Sequence, residues 1–177
     1  ELLDAVPVDH AVAKKYGISR EDQDALAVES HHRAQLAIDH GYFRAQVVPV
    51  MIKVKKDTVP FEVDESVRGD ATVEKMGKLR PVFDKAGSVT AGNASSINDA
   101  AAAVVLADRE AAEKRGLKPM GRLVAYSYVG VEPKYMGIGP VPAVNQLLAK
   151  TGFTLDDIDV FEVNEAFAAQ ALAVCRE

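Results

Sequence analysis

The spacing of apolar side chains predicts a long helix near the start of the chain. Over residues 19–40, apolar positions recur every three or four residues, as one face of a helix requires. Ser19 can cap the first turn, the acidic residues after it suit a helix start, and Gly41 can end the helix. The modest apolar face of this predicted helix consists of Leu26, Ala27, Ala34, Ala37 and Ile38.

The stretch after this helix lacks a helical repeat. Residues 47–54 are apolar and β-branched, but Pro49 interrupts them, which favours an edge strand or an irregular extended segment over a central strand. Residues 57–78 are rich in charge and predict an exposed excursion.

The second half of the chain alternates helix and strand signals. A helix is predicted within residues 92–116, because Ser95 or Ser96 can cap it, residues 100–107 are rich in alanine, and Gly116 can end it. A β-rich stretch, a helix opened by two prolines, a short turn, an apolar strand and a last helix then follow at residues 122–131, 140–152, 154–157, 160–163 and from 164 onward. This order of elements indicates an α/β protein.

An amide and a carboxylate stand where the strand at residues 160–163 gives way to the last helix. Such a junction leaves backbone N–H groups and a partial positive charge aimed at one spot, which suits a ligand oxyanion. Asn164 offers a donor and an acceptor there, although Asn is also an ordinary helix N-cap. Glu165 can position neighbouring groups or be a solvated glutamate of the first helical turn.

Composition excludes some classes of protein. The chain has 177 residues, of which 48% are hydrophobic and 27% charged, enough for one or two small cores. A net charge of −5 disfavours a general nucleic-acid binder, and no apolar run is long enough to span a membrane. The one cysteine, Cys175, predicts a reducing compartment such as the cytoplasm. His31, His32 and His40 lack a matching set of carboxylates, so no metal site is predicted.

Longer motifs follow one another along the chain. They are Leu-Arg-Pro-Val-Phe-Asp-Lys at residues 79–85, Val-Thr-Ala-Gly-Asn-Ala-Ser at 89–95, Met-Gly-Ile-Gly-Pro-Val-Pro-Ala at 136–143 and Asn-Glu-Ala-Phe-Ala-Ala-Gln at 164–170. Together they resemble the thiolases, enzymes that form or cleave 3-oxoacyl-CoA by acyl transfer through a catalytic cysteine. Residues 1–10 depart from the family pattern, and no role is assigned to them.

The resemblance implies an α/β fold of the layered thiolase type, incomplete and with part of the family's helical loop domain. Residues 1–94 would belong to the loop domain that covers CoA. Residues 95–119 would close the N-terminal thiolase half, and residues 120–177 would begin the C-terminal half.

The resemblance also implies a site. Asn164 is the implied catalytic residue, holding a water that helps to stabilise the thioester oxygen during carbon–carbon bond formation. Ser95 matches the serine that binds the pantetheine arm of CoA, with Ala91 among the small residues beside it. Arg68 matches the position that contacts the CoA nucleotide. A helix cap is the alternative for Ser95, and a solvated loop position is the alternative for Arg68.

Apolar walls are implied for the same site. Met136 corresponds to a methionine that lines the acyl pocket, and Phe83 and Phe167 would supply apolar surface. An ordinary core role competes at each of these positions, because methionine and phenylalanine also fill protein cores.

The implied activity is that of an acetyl-CoA acetyltransferase or short-chain 3-oxoacyl-CoA thiolase. CoA and acyl-CoA would be substrates rather than bound cofactors, and the assembly would be a homodimer or tetramer. The family's nucleophilic cysteine, its Gly-His-Pro histidine and its second cysteine have no match here, and Cys175 near a helix carboxyl end suits none of these roles. We therefore expect the central part of a longer enzyme, inactive alone in acetoacetyl-CoA thiolysis. The alternative is a non-catalytic chain of thiolase origin that binds acyl-CoA or a protein partner.

Overall fold

The structure is a computed structural model that describes residues 8–82 and 84–177. Its α-helices are α1 (Val8–Lys15), α2 (Arg20–Asp39), α3 (Val73–Gly77), α4 (Arg109–Lys114), α5 (Pro140–Thr151) and α6 (Ala168–Arg176). Its strands are β1 (Val50–Val54) and β2 (Asp57–Phe61), and short 3₁₀ helices cover Pro133–Ile138 and Leu155–Asp157. No helix in these described ranges is both long and apolar enough to cross a membrane.

Helix α2 confirms the helix predicted over residues 19–40. The Ser19 hydroxyl accepts the backbone N–H of Asp22 at 3.0 Å and caps the first turn. Gly41 follows the helix with φ +70°, a conformation that glycine adopts without strain. The buried side of α2 is more polar than its pattern predicts, because Gln23 and Asp24 are buried beside Ala27.

The larger core lies between α1 and α6. Val12, Ala13 and Ile18 pack there against Ala169 and Ala173. A second, smaller core joins α2 to α3, because Ala27 of α2 packs with Ala71 and Met76. Both cores rely on small side chains, which let the helix backbones approach closely.

Strands β1 and β2 form an antiparallel hairpin with Val50 opposite Phe61 and Val54 opposite Asp57. This confirms an extended segment within residues 47–54. Residues 57–78, which were predicted to be an exposed excursion, contain β2 and α3. They are also not wholly exposed, because Met76 is buried against α2.

The alanine-rich helix predicted over residues 100–107 is wrong. The helix found in this region is the short α4, which begins after Asp108, whose carboxylate accepts the backbone N–H groups of Glu110 and Ala111. Residues such as Val104 and Val105 are 83% and 95% exposed. A helix gains most of its stability by packing an apolar face, and these side chains are not packed.

The strands predicted at residues 122–131 and 160–163 are also wrong as paired strands. Neither segment joins a ladder with any described part of the chain. A strand needs a hydrogen-bonded neighbour, so these segments have no regular secondary structure. The predictions for residues 140–152 and 154–157 are confirmed by α5, which Gly152 ends with φ +75°, and by the 3₁₀ helix Leu155–Asp157.

Asp9 carries a buried carboxyl group in the first turn of α1. Burial disfavours the charged form and raises the pKa of Asp9 from 3.8 to about 6. The unfolded chain therefore loses this proton at a lower pH than the folded chain does. Protonation of Asp9 therefore favours the folded state. This contribution to the free energy of unfolding is fully present below about pH 3.8 and is lost as the pH rises through about 6.

We predict that Asp9→Asn stabilises the fold at pH 7.5 by about 2 kcal/mol and changes little at pH 4, because the amide never ionises. Thermal unfolding at both pH values measures this. Asp159→Asn, at an exposed carboxylate, is the control and should change neither midpoint. Equal effects of Asp9→Asn at the two pH values would contradict the assignment.

Candidate functional site

Asp24 anchors a buried polar cluster on α2. Its side chain is 2% exposed, and each of its oxygens accepts one hydrogen bond from a different partner. Arg20 Nε donates to Oδ2 at 2.8 Å, and Asn93 Nδ2 donates to Oδ1 at 3.0 Å. A buried carboxylate is tolerated when it is paired and hydrogen-bonded in this way.

Asn93 in turn fixes the loop over residues 88–93. Its Oδ1 accepts the backbone N–H of Thr90 at 2.8 Å, and its Nδ2 also donates to the carbonyl of Ser88 at 3.0 Å. Gln23 Nε2 donates to the Ser88 hydroxyl at 2.9 Å. The loop is therefore tied to α2 at both of its ends.

The same loop is joined to the segment before α6. The N–H of Ser95 donates to the carbonyl of Ala166 at 3.1 Å, and the N–H of Ala168 donates to the carbonyl of Asn93 at 3.0 Å. Between these bonds, Ala94 and Phe167 form an antiparallel bridge. Two segments that are distant in sequence thus run side by side, as a pair of short strands would.

A cleft of about 730 Å³ opens beside these two segments. Ligand pockets of small molecules have volumes of this order. Its lining includes Ala91, Ser95 and Arg68 from the predicted site, together with the α2 residues Leu26, Ser30 and His31. Gly92 permits the close packing behind it, because a Cβ there would lie 2.6 Å from Leu79 Cδ1.

His31 holds the loop that carries Arg68. The backbone N–H of Arg68 donates to His31 Nδ1 at 3.2 Å, which requires that nitrogen to be unprotonated. Burial first, and then the positive charges of Arg68 and His32, hold the pKa of His31 below its usual range. The imidazole is therefore a neutral acceptor near pH 7. The guanidinium of Arg68 is exposed at the cleft and donates to the carbonyl of Val67 at 3.3 Å.

Asn164 is not a helix cap, so that alternative for it is wrong. Helix α6 begins at Ala168, and Phe167 occupies the N-cap position. Asn164 lies before it in a segment without regular secondary structure, and the residue is exposed. Glu165 is not in a first helical turn either; its Oε2 accepts the hydroxyl of Ser30 at 3.0 Å and it lines the cleft.

The predicted cap role of Ser95 is also wrong, because no helix follows it directly. Met136 lies in the 3₁₀ helix Pro133–Ile138 and is 59% exposed, and Phe167 is half-buried at its bridge with Ala94. Neither belongs to the lining of this cleft. Phe83 lies outside the described residues.

The sequence interpretation missed Asp24, Asn93 and Ser30. A signal for Asp24 was available, because Arg20 and Asp24 are one helical turn apart and share the side of α2 that carries Ala27. Within residues 8–82 and 84–177, no group of His, Cys, Asp and Glu side chains has the arrangement of a metal site.

Comparison with known families and proteins gives the class to which this chain belongs. Residues 8–110 match the family described as "Thiolase, N-terminal domain", and residues 117–177 match "Thiolase, C-terminal domain". The chain belongs to the thiolase family, and the resemblance seen in its motifs is confirmed.

Individual relatives agree with this assignment. The chain is 60% identical over 166 residues to the β-ketothiolase BktB of Cupriavidus necator, and the match covers 93% of this chain and 42% of that protein. It is 53% identical over 163 residues to an acetyl-CoA acetyltransferase of Escherichia coli, covering 92% of this chain and 41% of that protein. The chain thus spans about two fifths of the length of these curated relatives.

Solved structures confirm the fold class. The acetyl-CoA acetyltransferase of Bacillus anthracis superimposes with a TM-score of 0.88 at 49% identity, covering 96% of this chain and 43% of that one. The human mitochondrial 3-ketoacyl-CoA thiolase gives 0.89 at 46% identity, covering 97% of this chain and 43% of that one. The fold is therefore part of the layered thiolase fold.

Proposed function

We propose that this chain forms the CoA-binding cleft and part of the reaction centre of a short-chain thiolase. The enzyme transfers an acyl group between a catalytic cysteine outside this chain and CoA or acetyl-CoA, and so forms or cleaves a short 3-oxoacyl-CoA. Cys175 is not that cysteine, because it lies at the carboxyl end of α6, where the helix dipole opposes a thiolate.

The observation that carries this proposal is the pairing of the Ser95 segment with the Asn164 segment. The hydrogen bonds from Ser95 to Ala166 and from Ala168 to Asn93 hold the cleft-lining residues 93–95 beside the Asn-Glu-Ala-Phe motif. A thioester whose pantetheine arm passes Ser95 is thereby directed toward the residues around Asn164. Small ligands bind in clefts that hold a few fixed polar groups in this way.

The proposed role of each residue follows its chemistry. Asn164 holds the water that stabilises the thioester oxyanion, since a preorganised donor at that oxygen contributes about 3 kcal/mol to such barriers. Ser95 binds the pantetheine arm, beside the small side chain of Ala91, and Arg68 binds the nucleotide end. We assign Met136 and Phe167, which do not line this cleft, to apolar walls toward the acyl group, together with Phe83. No permanently bound cofactor is part of the proposal, and CoA is a substrate.

The division of the chain is part of the same proposal. Residues 1–94 form the loop domain over CoA, residues 95–119 end the N-terminal half, and residues 120–177 begin the C-terminal half. In support, the cleft is lined both by α2 and by Glu165 and Ala168, so the first and last of these parts meet at it. Limited proteolysis tests the division, and preferred cleavage inside α2 rather than near residues 95–119 would contradict it.

A complete enzyme for kinetic tests is a chimera in which the matched residues of this chain replace their counterparts in the Cupriavidus necator relative. We predict that Ser95→Leu in this chimera raises the KM for acetoacetyl-CoA by at least about tenfold, because the larger side chain obstructs the pantetheine path. Arg68→Ala should raise KM less, since the guanidinium is exposed at the outer end of the cleft. Steady-state thiolysis measures both, and unchanged kinetics of Ser95→Leu would overturn the role of Ser95.

Asn164 provides the test of the reaction itself. We predict that Asn164→Ala in the chimera lowers kcat about a hundredfold, the usual effect of removing one oxyanion donor. Its thermal stability should stay within about 0.5 kcal/mol, because Asn164 caps no helix. Ser19→Ala is the control with the opposite result, since it removes a true cap at a cost of about 1 kcal/mol and should leave kcat unchanged. A fully active Asn164→Ala enzyme would contradict the proposal.

We propose a homodimer or tetramer as the assembly, with the β1–β2 hairpin as a contact surface. The hairpin exposes Val50 and Ile52 on one face, where apolar side chains favour a protein partner. The chimera should run as a dimer or tetramer in light scattering, and Val50→Glu with Ile52→Glu should lower its mass. Lys53→Glu, on the other face of β1, is the control. A monomeric unmodified chimera would contradict the assembly.

A cytoplasmic location completes the proposal. It is supported by the single cysteine of the chain, which is typical of a reducing compartment. Fractionation of the source cells tests it, and recovery of the protein outside the cytoplasmic fraction would contradict it.

A further inference from the structure

We propose that Asp24 is a positioning residue that sets the distance between the CoA-binding serine and the Asn164 segment. The inference rests on the proposed function, because it assigns Asp24 a task in that site. Asp24 does not line the cleft, so it is not among the residues that would contact a thioester there. Its effect is transmitted through Asn93, whose side chain it holds.

Asn93 transmits this effect because it is bonded on both sides. Its side chain is fixed to Asp24 of α2, and its carbonyl accepts the N–H of Ala168 at the start of α6. Two residues further on, Ser95 donates to Ala166. A displacement of Asn93 must therefore move Ser95, the segment before α6, or both.

Arg20 extends the same unit to α3 and the residues that follow it. While Nε binds Asp24, its Nη2 donates to the carbonyl of Met76 at 2.7 Å and to the carbonyl of Leu79 at 3.1 Å. Met76 and Leu79 both line the cleft. One buried carboxylate thus orients both the cation that holds the carbonyls of Met76 and Leu79 and the amide that holds the loop over residues 88–93.

Substitution of Asp24 by Asn separates positioning from packing, because the two side chains have the same shape. Arg20 and Asn93 donate to different oxygens of Asp24, so an amide at residue 24 turns its NH2 group toward one of these donors and loses that bond. In the chimera we expect Asp24→Asn to raise the KM for acetoacetyl-CoA about tenfold and to lower kcat about tenfold.

The matched control for this substitution is Glu29→Gln. Arg33 and Glu29 form the same kind of ion pair with the same spacing on α2, at 2.6 Å, but both side chains are exposed. This variant should leave KM and kcat within about twofold of the unmodified chimera. An Asp24→Asn enzyme that matches Glu29→Gln in both constants would overturn the proposal.

Exchanging the side chains of Asp24 and Asn93 provides a rescue experiment. Asn93→Asp alone places two carboxylates face to face in a buried site and should be the most impaired enzyme. Adding Asp24→Asn restores a donor opposite the new carboxylate and leaves the amide oxygen free for Arg20, while the bond from residue 93 to the Ser88 carbonyl stays lost, so the recovery is partial. We expect the double variant to recover at least about tenfold in kcat/KM over Asn93→Asp. No recovery in a folded double variant would count against the proposal.

A second measurement does not depend on thiolase activity. In the 177-residue chain, Asp24→Asn should accelerate hydrogen exchange at the amides of Ser95 and Ala168, which join the two segments. The amide of Gly152, bonded to Leu148 in a distant helix, is the internal control. Accelerated exchange in Asp24→Asn would support the link from Asp24 through Asn93 to these two segments. If the unmodified chimera were also inactive, the link would still be supported but the proposed function would be refuted. Unchanged exchange at Ser95 and Ala168 would refute the link itself.

Discussion

The buried pairing of Asp24 with Arg20 and Asn93 is the interaction on which the described cleft depends. Without this pairing, the hydrogen bond from Gln23 to Ser88 would still join α2 to the loop over residues 88–93. Asn93, whose carbonyl accepts the N–H of Ala168 in α6, would no longer be held to α2 by its side chain. Taking a carboxylate out of water is costly, and that cost is met here only because both oxygens have partners. A polar rather than an apolar contact thus fixes the relative positions of three segments.

Local signals made α2 and α5 predictable. In α2 the Ser19 cap and Gly41 stand at the two ends, and in α5 a proline opens the helix and Gly152 ends it. Such signals act within a few residues, so they can be identified in a sequence without knowledge of the fold. The alanine-rich stretch at residues 100–107 has high helix propensity but no packed face, and propensity alone did not make it a helix.

The candidate site was predictable in part, for a similar reason. The family resemblance indicated Ser95, Arg68 and Ala91, which do share one cleft. The resemblance could not indicate Asn93 as the link, because its bond to Asp24 joins residues far apart in the chain. The start of α6 was misplaced because Asn164 has the chemistry of a cap, whereas the bridge between Ala94 and Phe167 keeps the segment before Ala168 extended. Long-range pairing therefore overrode a local preference.

Helix α6 begins within the Asn-Glu-Ala-Phe-Ala-Ala-Gln motif at residues 164–170, and its packing constrains which residues can stand there. Ala169 and Ala173 are almost fully buried against α1, so a larger side chain at either position would overpack the core. Glycine would fit the space but would weaken the helix by about 1 kcal/mol. Alanine is thus favoured over both larger and smaller residues. Ala169 belongs to the Asn-Glu-Ala-Phe-Ala-Ala-Gln motif, so the distance between two helices constrains this part of the motif whether or not the chain takes part in catalysis.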